Sequence, residues 1–353
     1  MLQNALKTAV LGPAAAVIAL VACRPHEATD RTASTEPRRS VVVYSSADKE
    51  FAELIFAAYE KGTGTKVLPV YDTEETKTAG LTARLVAEAA HPKADVFWSS
   101  DTSRAVALVE RGIAAPYESP SAKDIPARYK DPNGRWTGFA ARIRVILYNT
   151  TRVKPAETPK SIGDFTGASW KGRFAIPNPH FGTMSFQAAA LFVKWGDEKA
   201  TAFFRSLKAN DAVIAAGNAD VKDRVSDGRV AAGIVDEDDA MVAVRERKPV
   251  AIVIPDQEGP DPLGTPVMPN TAMLIQGAPH PQEARAFLDF LLSPETERIL
   301  AKSDAAQFPL HPGVSGPASL PSLDKVRPME VDYDAVAKKL KIMDSMLKQA
   351  LGI

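Results

Sequence analysis

The chain has 353 residues, 45% hydrophobic and 24% charged, which is typical of a globular protein with ample length for a buried core. It carries 43 Lys and Arg against 43 Asp and Glu, so no net field favours nucleic acid or an acidic membrane surface as a partner. Any function must therefore depend on local groups of residues.

The N-terminal region has the features of an export signal. Lys7 supplies a positive charge, and 9–21 is an apolar run too short for a comfortable transmembrane helix. The run ends in Leu-Val-Ala-Cys, which resembles the bacterial lipobox, and Cys23 is the only cysteine of the chain. We predict a signal peptide over 1–22, a lipid anchor on Cys23 and a flexible tether over 23–39, where charged residues, Thr, Ser and Pro dominate.

Strands and helices alternate in the first part of the body. The pattern predicts strands over 41–44, 66–70 and 94–98, followed by helices over 51–62, over 76–90 and up to Arg111. This alternation indicates an α/β fold, with a parallel sheet that is covered by helices on both faces.

A second α/β unit follows, and a Pro- and Gly-rich stretch over 256–269 marks its end. Strands are predicted at 142–148, 174–176, 213–215, 231–235 and 250–254, and helices from Ser161, from Gly182 or Thr183, over 199–208 and over 221–227. Beyond the boundary we predict a strand over 271–276, helices over 281–292 and 294–302, and one long terminal helix over 332–351.

The stretch Gly-Ile-Val-Asp-Glu-Asp-Asp-Ala over 233–240 is the densest group of like charges at a strand end. An apolar strand leads directly into Asp236, Glu237, Asp238 and Asp239. At the carboxyl end of a parallel strand such groups often meet a ligand. Acids that cap a following helix and favour its dipole are the alternative explanation.

Polar residues follow other strands as well, and His180 lies just before a predicted helix start. The groups are Ser45, Ser46 and Asp48; Ser99, Ser100 and Asp101; and Gly182 with Thr183. A helix N-terminus with Gly and Thr is suited to an anion, whereas ordinary N-capping would also explain the serines. The chain has no phosphate loop, dinucleotide fingerprint, HExxH, CxxC or GxSxG motif, so an enzyme is not the favoured class.

The order of segments resembles the extracellular solute-binding proteins of ABC importers, most closely the ferric-ion-binding group. The resemblance covers about 41–312 and is carried by VVVYSSADKE, YEKGTGTKV, ADVFWSSD, RGIAAPY, GRVAAGIVDEDDA, PNTAMLIQGAPHPQEARAFLDFLLSPE and QFPL. It implies a type II periplasmic-binding-protein fold with two α/β lobes, a ligand in the cleft between them and closure by hinge motion. Crossing strands are expected near 142–148 and 269–276. The implied lobes are 40–141 with 269–325, and 142–268, and the terminal segment 326–353 is unassigned.

The resemblance also implies a binding site, although the usual ligands are replaced. Ferric-binding members use a His, a Glu and two adjacent Tyr with an anion. These positions fall here on Asp48, on Ser100 beside Asp101, and on Asp238 and Asp239. Hard oxygen ligands suit hard cations. One hypothesis is therefore a metal ion, ferric iron by analogy, held by Asp48, Asp101, Asp238 and Asp239 with an anion at Gly182 and Thr183.

A small zwitterion such as an aminoalkylphosphonate is the alternative ligand. Its ammonium group would lie among the acids, near Trp98, Tyr44 or Phe181 for cation–π attraction. Its acidic group would contact the helix near Thr183 and the four serines at 45, 46, 99 and 100. A metal-dependent hydrolase is the rival class. We expect a monomeric lipoprotein in the periplasm that delivers its solute to an importer permease and binds no nucleic acid.

Overall fold

The computed structural model describes residues 39–72, 79–318 and 320–352. The predicted signal peptide, the lipidation site Cys23 and all but the last residue of the tether lie outside these ranges. Within them, no helix combines the length and the apolar character that crossing a membrane requires.

The first part of the described chain alternates strands and helices as predicted. It comprises β1 (Ser40–Ser45), α1 (Lys49–Thr63), β2 (Lys66–Tyr71), α2 (Ala79–Ala87), β3 (Val96–Ser99), α3 (Thr102–Val109) and β4 (Ala114–Ala115). Gly64 ends α1 in the left-handed conformation, which a residue without a Cβ adopts easily.

The rest of the chain begins with a long strand. It comprises β5 (Thr137–Asn149), β6 (Phe174–Pro177), α4 (Gly182–Trp195), α5 (Asp197–Ala209), β7 (Val213–Ala215), α6 (Asn218–Ser226), β8 (Ala232–Asp236), α7 (Glu237–Arg245), β9 (Val250–Val253), β10 (Val267–Ile275), α8 (Pro281–Leu291), α9 (Pro294–Lys302), α10 (Tyr333–Leu340) and α11 (Asp344–Leu351).

Four predicted elements differ clearly from the structure. The segment after Ser161 forms short 3₁₀ turns rather than an α-helix. β5 and β10 each begin several residues earlier than predicted, because they pair with each other along their first halves. The prediction of a single terminal helix is wrong. Two helices form instead, separated by the non-helical residues 341–343, because α10 packs on α3 and α4 whereas α11 packs on α5.

The strands form a mixed sheet in the order β2-β1-β3-β10-β5-β8-β6-β7, with β4 beside β10 and β9 beside β5. β1 is parallel to β2 and β3, and β6 is parallel to β7 and β8, as predicted. β5 and β10 are antiparallel to their neighbours, so the sheet is not purely parallel.

β5 belongs to both halves of this sheet. Thr137–Ile143 pairs with β10, and Arg144–Tyr148 pairs with β8. We call β1–β4 with α1–α3 the first lobe, and β6–β9 with α4–α7 the second lobe. β5 runs from one to the other, which is the two-lobed arrangement expected. The exact residue limits of the lobes stay a prediction.

The pairing of β5 with β10 is irregular at one point. The register between β5 and β10 shifts between Pro269 and Asn270. Opposite this shift Ala140 has a φ of 41°, in the left-handed region that L side chains rarely adopt. The Ala140 N–H donates to Glu297 Oε1 at 2.8 Å, and the Asn270 amide donates to the Ala140 carbonyl. Two long-range contacts therefore hold the bend.

The C-terminal segment contacts both lobes. α10 packs on α3 of the first lobe and on α4 of the second. Lys341 Nζ lies 2.9 Å from Glu110 Oε2 just after α3, and Lys339 Nζ lies 2.7 Å from Asp197 Oδ1 at the start of α5. The segment whose lobe the sequence left open thus touches both.

Candidate functional site

A cavity of about 840 Å³ lies between the lobes and brings together side chains from both. Its first-lobe wall contains Asp48, Glu50, Phe51, Ser100, Asp101 and Arg104, and its second-lobe wall contains His180, Gly182, Thr183, Asn218, Asp236, Asp238 and Asp239. A second cavity of similar volume, about 800 Å³, lies beside Trp136 and Tyr333 and contains none of the predicted site residues.

The acidic stretch forms the junction between β8 and α7. Gly233 is required earlier in the strand, because a Cβ there would collide with the Val221 side chain and with the Ala175 carbonyl. Asp236 is the last residue of β8, and the next three acids occupy the first turn of α7. Carboxylate oxygens of Asp236, Asp238 and Asp239 lie within 4.8 Å of one another, a spacing that suits a metal ion.

Asp236 is already satisfied by protein groups. Its Oδ1 accepts from Arg144 Nη1 at 2.6 Å, and its Oδ2 accepts from Thr183 Oγ1 at 2.7 Å and from Asn218 Nδ2 at 2.9 Å. Arg144 is fully buried and also donates to Gln187. Asp236 therefore forms a buried ion pair that holds Thr183 and Asn218 at the cavity wall.

Glu237 does not line the cavity and is fully buried. Its Oε2 accepts from the backbone N–H of Ile143 at 2.7 Å, which ties α7 to the crossing strand β5. Burial, and then the nearby charges of Asp238 and Asp236, raise its pKa well above the ordinary value.

Asp238 and Asp239 differ from Asp236 because neither is ion-paired, although the charge of Arg142 acts on Asp238 and those of Arg144 and Lys222 act on Asp239. Neither forms a salt bridge to another described residue, and the recorded hydrogen bond from the Asp239 N–H to Asp238 Oδ1 joins them to each other. Burial raises the pKa of Asp238 to about 6 and that of Asp239 to about 7, and repulsion within the acidic group adds to the effect. A cation in the cavity would relieve both penalties.

Arg142 is a cavity residue that the sequence analysis missed. Its Nη2 donates to the Ser100 carbonyl at 2.7 Å, and its Nε is buried without a hydrogen-bond partner among the described residues. Burial lowers its pKa, but the charges of Asp236, Asp238 and Glu237 outweigh this and raise it. Two arginines in the otherwise apolar strand Ala-Ala-Arg-Ile-Arg-Val over 140–145 were the available signal.

Four of the predicted site residues do not reach the cavity, because they are buried and hydrogen-bonded elsewhere. Ser45 Oγ accepts from the Ala47 N–H, Ser46 Oγ accepts from the Ser100 N–H, and Ser99 Oγ bridges the backbone of Asp101. Trp98 is only 1% exposed, packs on Phe56 and Phe139, and donates to Asn270 Oδ1 at 3.3 Å.

Asp48, Ser100 and Asp101 do line the cavity. Asp101 also caps α3, since its Oδ1 accepts from the Ser103 N–H at 2.9 Å and from the Ser103 hydroxyl at 2.6 Å. Asp48 and Asp101 are not part of the close group of carboxylates on the opposite wall. The structure thus brings the four aspartates predicted as metal ligands to one cavity, but not to one close cluster.

The N-terminus of α4 forms the other part of the second-lobe wall. Gly182 begins the helix with a φ of 56°, and no side chain caps it. Phe181 beside it is 67% exposed. His180 lies in the same wall, with its Nδ1 2.6 Å from Asp344 Oδ1 of α11. A helix N-terminus open to a cavity attracts anions.

The fold and the cleft define a two-lobed solute-binding protein. The model of the family of bacterial extracellular solute-binding proteins matches residues 91–339, and the chain belongs to this family. Members of the family bind solutes for transport and are not enzymes.

Known proteins are similar to this chain in sequence or in fold over most of its length. Iron uptake protein A1 of Synechocystis is 29% identical over 323 residues, 87% of each chain. Iron-bound HitA from Pseudomonas aeruginosa superposes with a TM-score of 0.76 at 23% identity, over 88% of this chain and 99% of HitA. AfuA from Actinobacillus pleuropneumoniae with fructose-6-phosphate bound superposes with a TM-score of 0.72 at 21% identity, over 90% and 99%.

Proposed function

We propose that the protein captures ferric iron, or another hard cation, together with an anion in the cleft and delivers it to the permease of an ABC importer. The observation that carries this proposal is the close group of carboxylates. Asp238 and Asp239 form no salt bridge to another described residue, and Asp236 lies within 4.8 Å of them. Hard oxygen donors in this number suit a hard metal ion.

The opposite wall supports capture by closure. Asp48 and Asp101 line the first-lobe side of the same cavity, so hinge motion would bring their carboxylates toward the cation. The closed form is favoured by the ligand because only there do both walls contact it.

Arg142 and the N-terminus of α4 support the presence of an anion. Both lie at the cavity, and the buried Nε of Arg142 has no partner among the described residues. A carbonate, phosphate or carboxylate would satisfy these donors and would also lower the net charge around a trivalent cation.

Similarity to an iron uptake protein and to an iron-bound neighbour favours iron among hard cations. No tyrosine lines the cavity in the described part of the chain. A ferric complex of this protein should therefore lack the strong visible absorption that tyrosinate ligands give.

A phosphorylated or zwitterionic organic solute is the second candidate. Arg142 favours it, because a guanidinium close to the acids suits a ligand with both an anionic and a cationic or hydroxyl group. A structural neighbour carries fructose-6-phosphate in the same fold. An ammonium group would then take the place of the metal beside Asp238 and Asp239.

Native mass spectrometry of protein purified from its own host, with elemental analysis of the same sample, tests the proposal. We expect a mass increase that corresponds to a metal ion plus a small anion, with iron found at one equivalent. A purely organic mass increase without metal would favour the second candidate. If neither ferric citrate nor an aminoalkylphosphonate raises the melting temperature of the protein, both the metal and the organic-solute candidates would be contradicted.

Attachment and assembly complete the proposal. The lipobox-like Cys23 supports a lipid anchor at the outer face of the membrane, so that the tether over 23–39 sets the reach to the permease. One cavity formed by both lobes of one chain supports a monomer as the working unit.

A further inference from the structure

His180 is positioned at the cavity by the C-terminal helix. Its Nδ1 lies 2.6 Å from Oδ1 of Asp344, the first residue of α11. Lys348 Nζ lies 2.8 Å from Asp344 Oδ2 and holds the carboxylate from its other side. His180 is thus fixed by a residue more than a hundred positions later in the chain.

This contact determines which ring nitrogen of His180 is available. A carboxylate paired with a lysine is ionised and can only accept hydrogen bonds, so Nδ1 carries the proton when the ring is neutral. Nε2 then has a free lone pair. This nitrogen is buried and has no hydrogen-bond partner among the described residues. A buried polar atom without a partner is costly, and such an atom at a cavity wall points to a ligand.

His311 shows what a histidine with a purely structural role looks like in the same protein. Its Nδ1 lies 2.7 Å from Glu297 Oε2, and its Nε2 lies 2.8 Å from the Ser121 carbonyl oxygen. Both nitrogens are therefore satisfied by the protein. His180 has the carboxylate on one nitrogen but lacks the second partner, and it lies at the cavity whereas His311 does not.

We propose that His180 Nε2 binds the cationic cargo, and that Asp344 is a positioning residue that makes the C-terminal helix part of the binding site. A carboxylate behind an imidazole is the arrangement that orients metal-binding histidines and fixes their tautomer. The inference rests on the proposed function, because it assigns a further ligand for a cation in the same cavity. His180 lies outside the close group of Asp236, Asp238 and Asp239 in this structure.

The assignment also gives the terminal segment a function. α10 packs on both lobes, and α11 carries Asp344 to the second-lobe wall. A change in α11 would therefore reach the cavity through the hydrogen bond between Asp344 and His180.

Nuclear magnetic resonance of protein labelled with ¹⁵N-histidine tests the proposal, with Ga³⁺ as a diamagnetic substitute for ferric iron. In the empty protein we expect the Nδ1–H tautomer for His180. Addition of Ga³⁺ citrate should shift the Nε2 resonance of His180 and leave both nitrogens of His311 unchanged. An unchanged His180 resonance at saturating Ga³⁺ would overturn the inference while leaving the proposed function intact. Failure of Ga³⁺ to bind at all would overturn both.

Two variants and a matched control test the positioning role. Asp344→Asn should lower Ga³⁺ affinity about 10-fold, as expected for loss of the group that orients a metal-binding histidine. His180→Ala should lower it at least as much. Asp197→Asn removes another contact of the terminal segment, to Lys339, and should bind normally. Circular dichroism melting confirms that all three fold. Asp344→Asn with wild-type affinity and an unshifted His180 tautomer would contradict the positioning role.

Discussion

The two walls of the cleft carry similar polar residues but use them differently. On the first-lobe side, Ser46 and Ser99 behind the wall and Asp101 in it bond to the backbone around them and stabilise the turns that follow β1 and β3. On the second-lobe wall, the Asp239 N–H donates to Asp238 Oδ1, and neither carboxylate bonds to any other residue that the structure describes. A polar residue at a strand end is thus available for a ligand only when the turn has not already used it.

The four acids at 236–239 show the same difference between groups that are bonded within the protein and groups that are available to a ligand. Asp236 is paired with Arg144 and Glu237 holds the Ile143 N–H, whereas Asp238 and Asp239 face the cavity. The first two acids hold the wall in place, and the last two give it negative charge. The following predictions test this division, from the largest expected effect to the smallest.

Asp236→Ala should destabilise the protein by about 3–5 kcal/mol. The substitution leaves Arg144 buried and without its carboxylate, and an uncompensated buried charge is costly. Urea unfolding followed by circular dichroism measures the change. A loss below about 1 kcal/mol would mean that Asp236 is not the structural member of the group.

Replacing both Asp238 and Asp239 by Asn should remove binding while the fold survives. We expect ferric affinity, measured by competition with citrate, to fall at least about 100-fold, or about 2.7 kcal/mol. Ser45→Ala is the matched control on the first-lobe side and should bind as the wild type does. Retained affinity in the double variant would exclude these carboxylates from the site.

Cation affinity should depend on pH near neutrality. Burial and mutual repulsion raise the pKa values of Asp238 and Asp239 to about 6 and about 7, so lowering the pH from 7.5 to 5.5 protonates both and weakens cation binding. From the sequence alone, with ordinary carboxyl pKa values near 4, the loss would be expected only in stronger acid.

The folding stability of the protein without ligand should rise as the pH falls, whereas its cation affinity should decrease. Between the ordinary pKa and the raised one, the folded state binds more protons than the unfolded state, so these two groups favour folding more as the pH falls from 7 toward 4. Calorimetry of the wild type against the double Asn variant isolates their contribution. Equal pH profiles for both proteins would show that the two pKa values are ordinary.

Ser99→Ala should have the smallest effect. It removes a buried hydroxyl that bridges the Asp101 backbone, which costs about 1 kcal/mol of stability. Affinity for the cation should not change, because the hydroxyl does not reach the cavity. A clear loss of affinity without a loss of stability would reverse this assignment.

Local patterns predicted the fold well because they depend on neighbours in sequence. The strand 213–215 was predicted to the residue, and α1 ends at Thr63, one residue after the predicted end. The break between α10 and α11 was missed because it depends on packing partners, α3, α4 and α5, that lie far away in sequence.

The site was predictable only in part, for the same reason. Four adjacent acids after a buried strand stood out in the sequence, and the resemblance to ferric-binding proteins narrowed the prediction to Asp238 and Asp239. Whether a polar group is satisfied depends on long-range partners, such as Arg144 for Asp236 and Ser100 for Ser46. Arg142 and the contact from Asp344 to His180 needed the three-dimensional structure for their recognition.

The irregular pairing of β5 with β10 near Ala140 affects how the sheet can bend. A regular ladder distributes any bend over many hydrogen bonds, whereas Ala140 and the register shift beside Asn270 confine it to a few backbone torsions. We therefore expect this part of the sheet to act as the hinge that sets the width of the cleft. A substitution at Ala140 would alter the affinity for the cargo while every side chain that lines the cavity stays as it is.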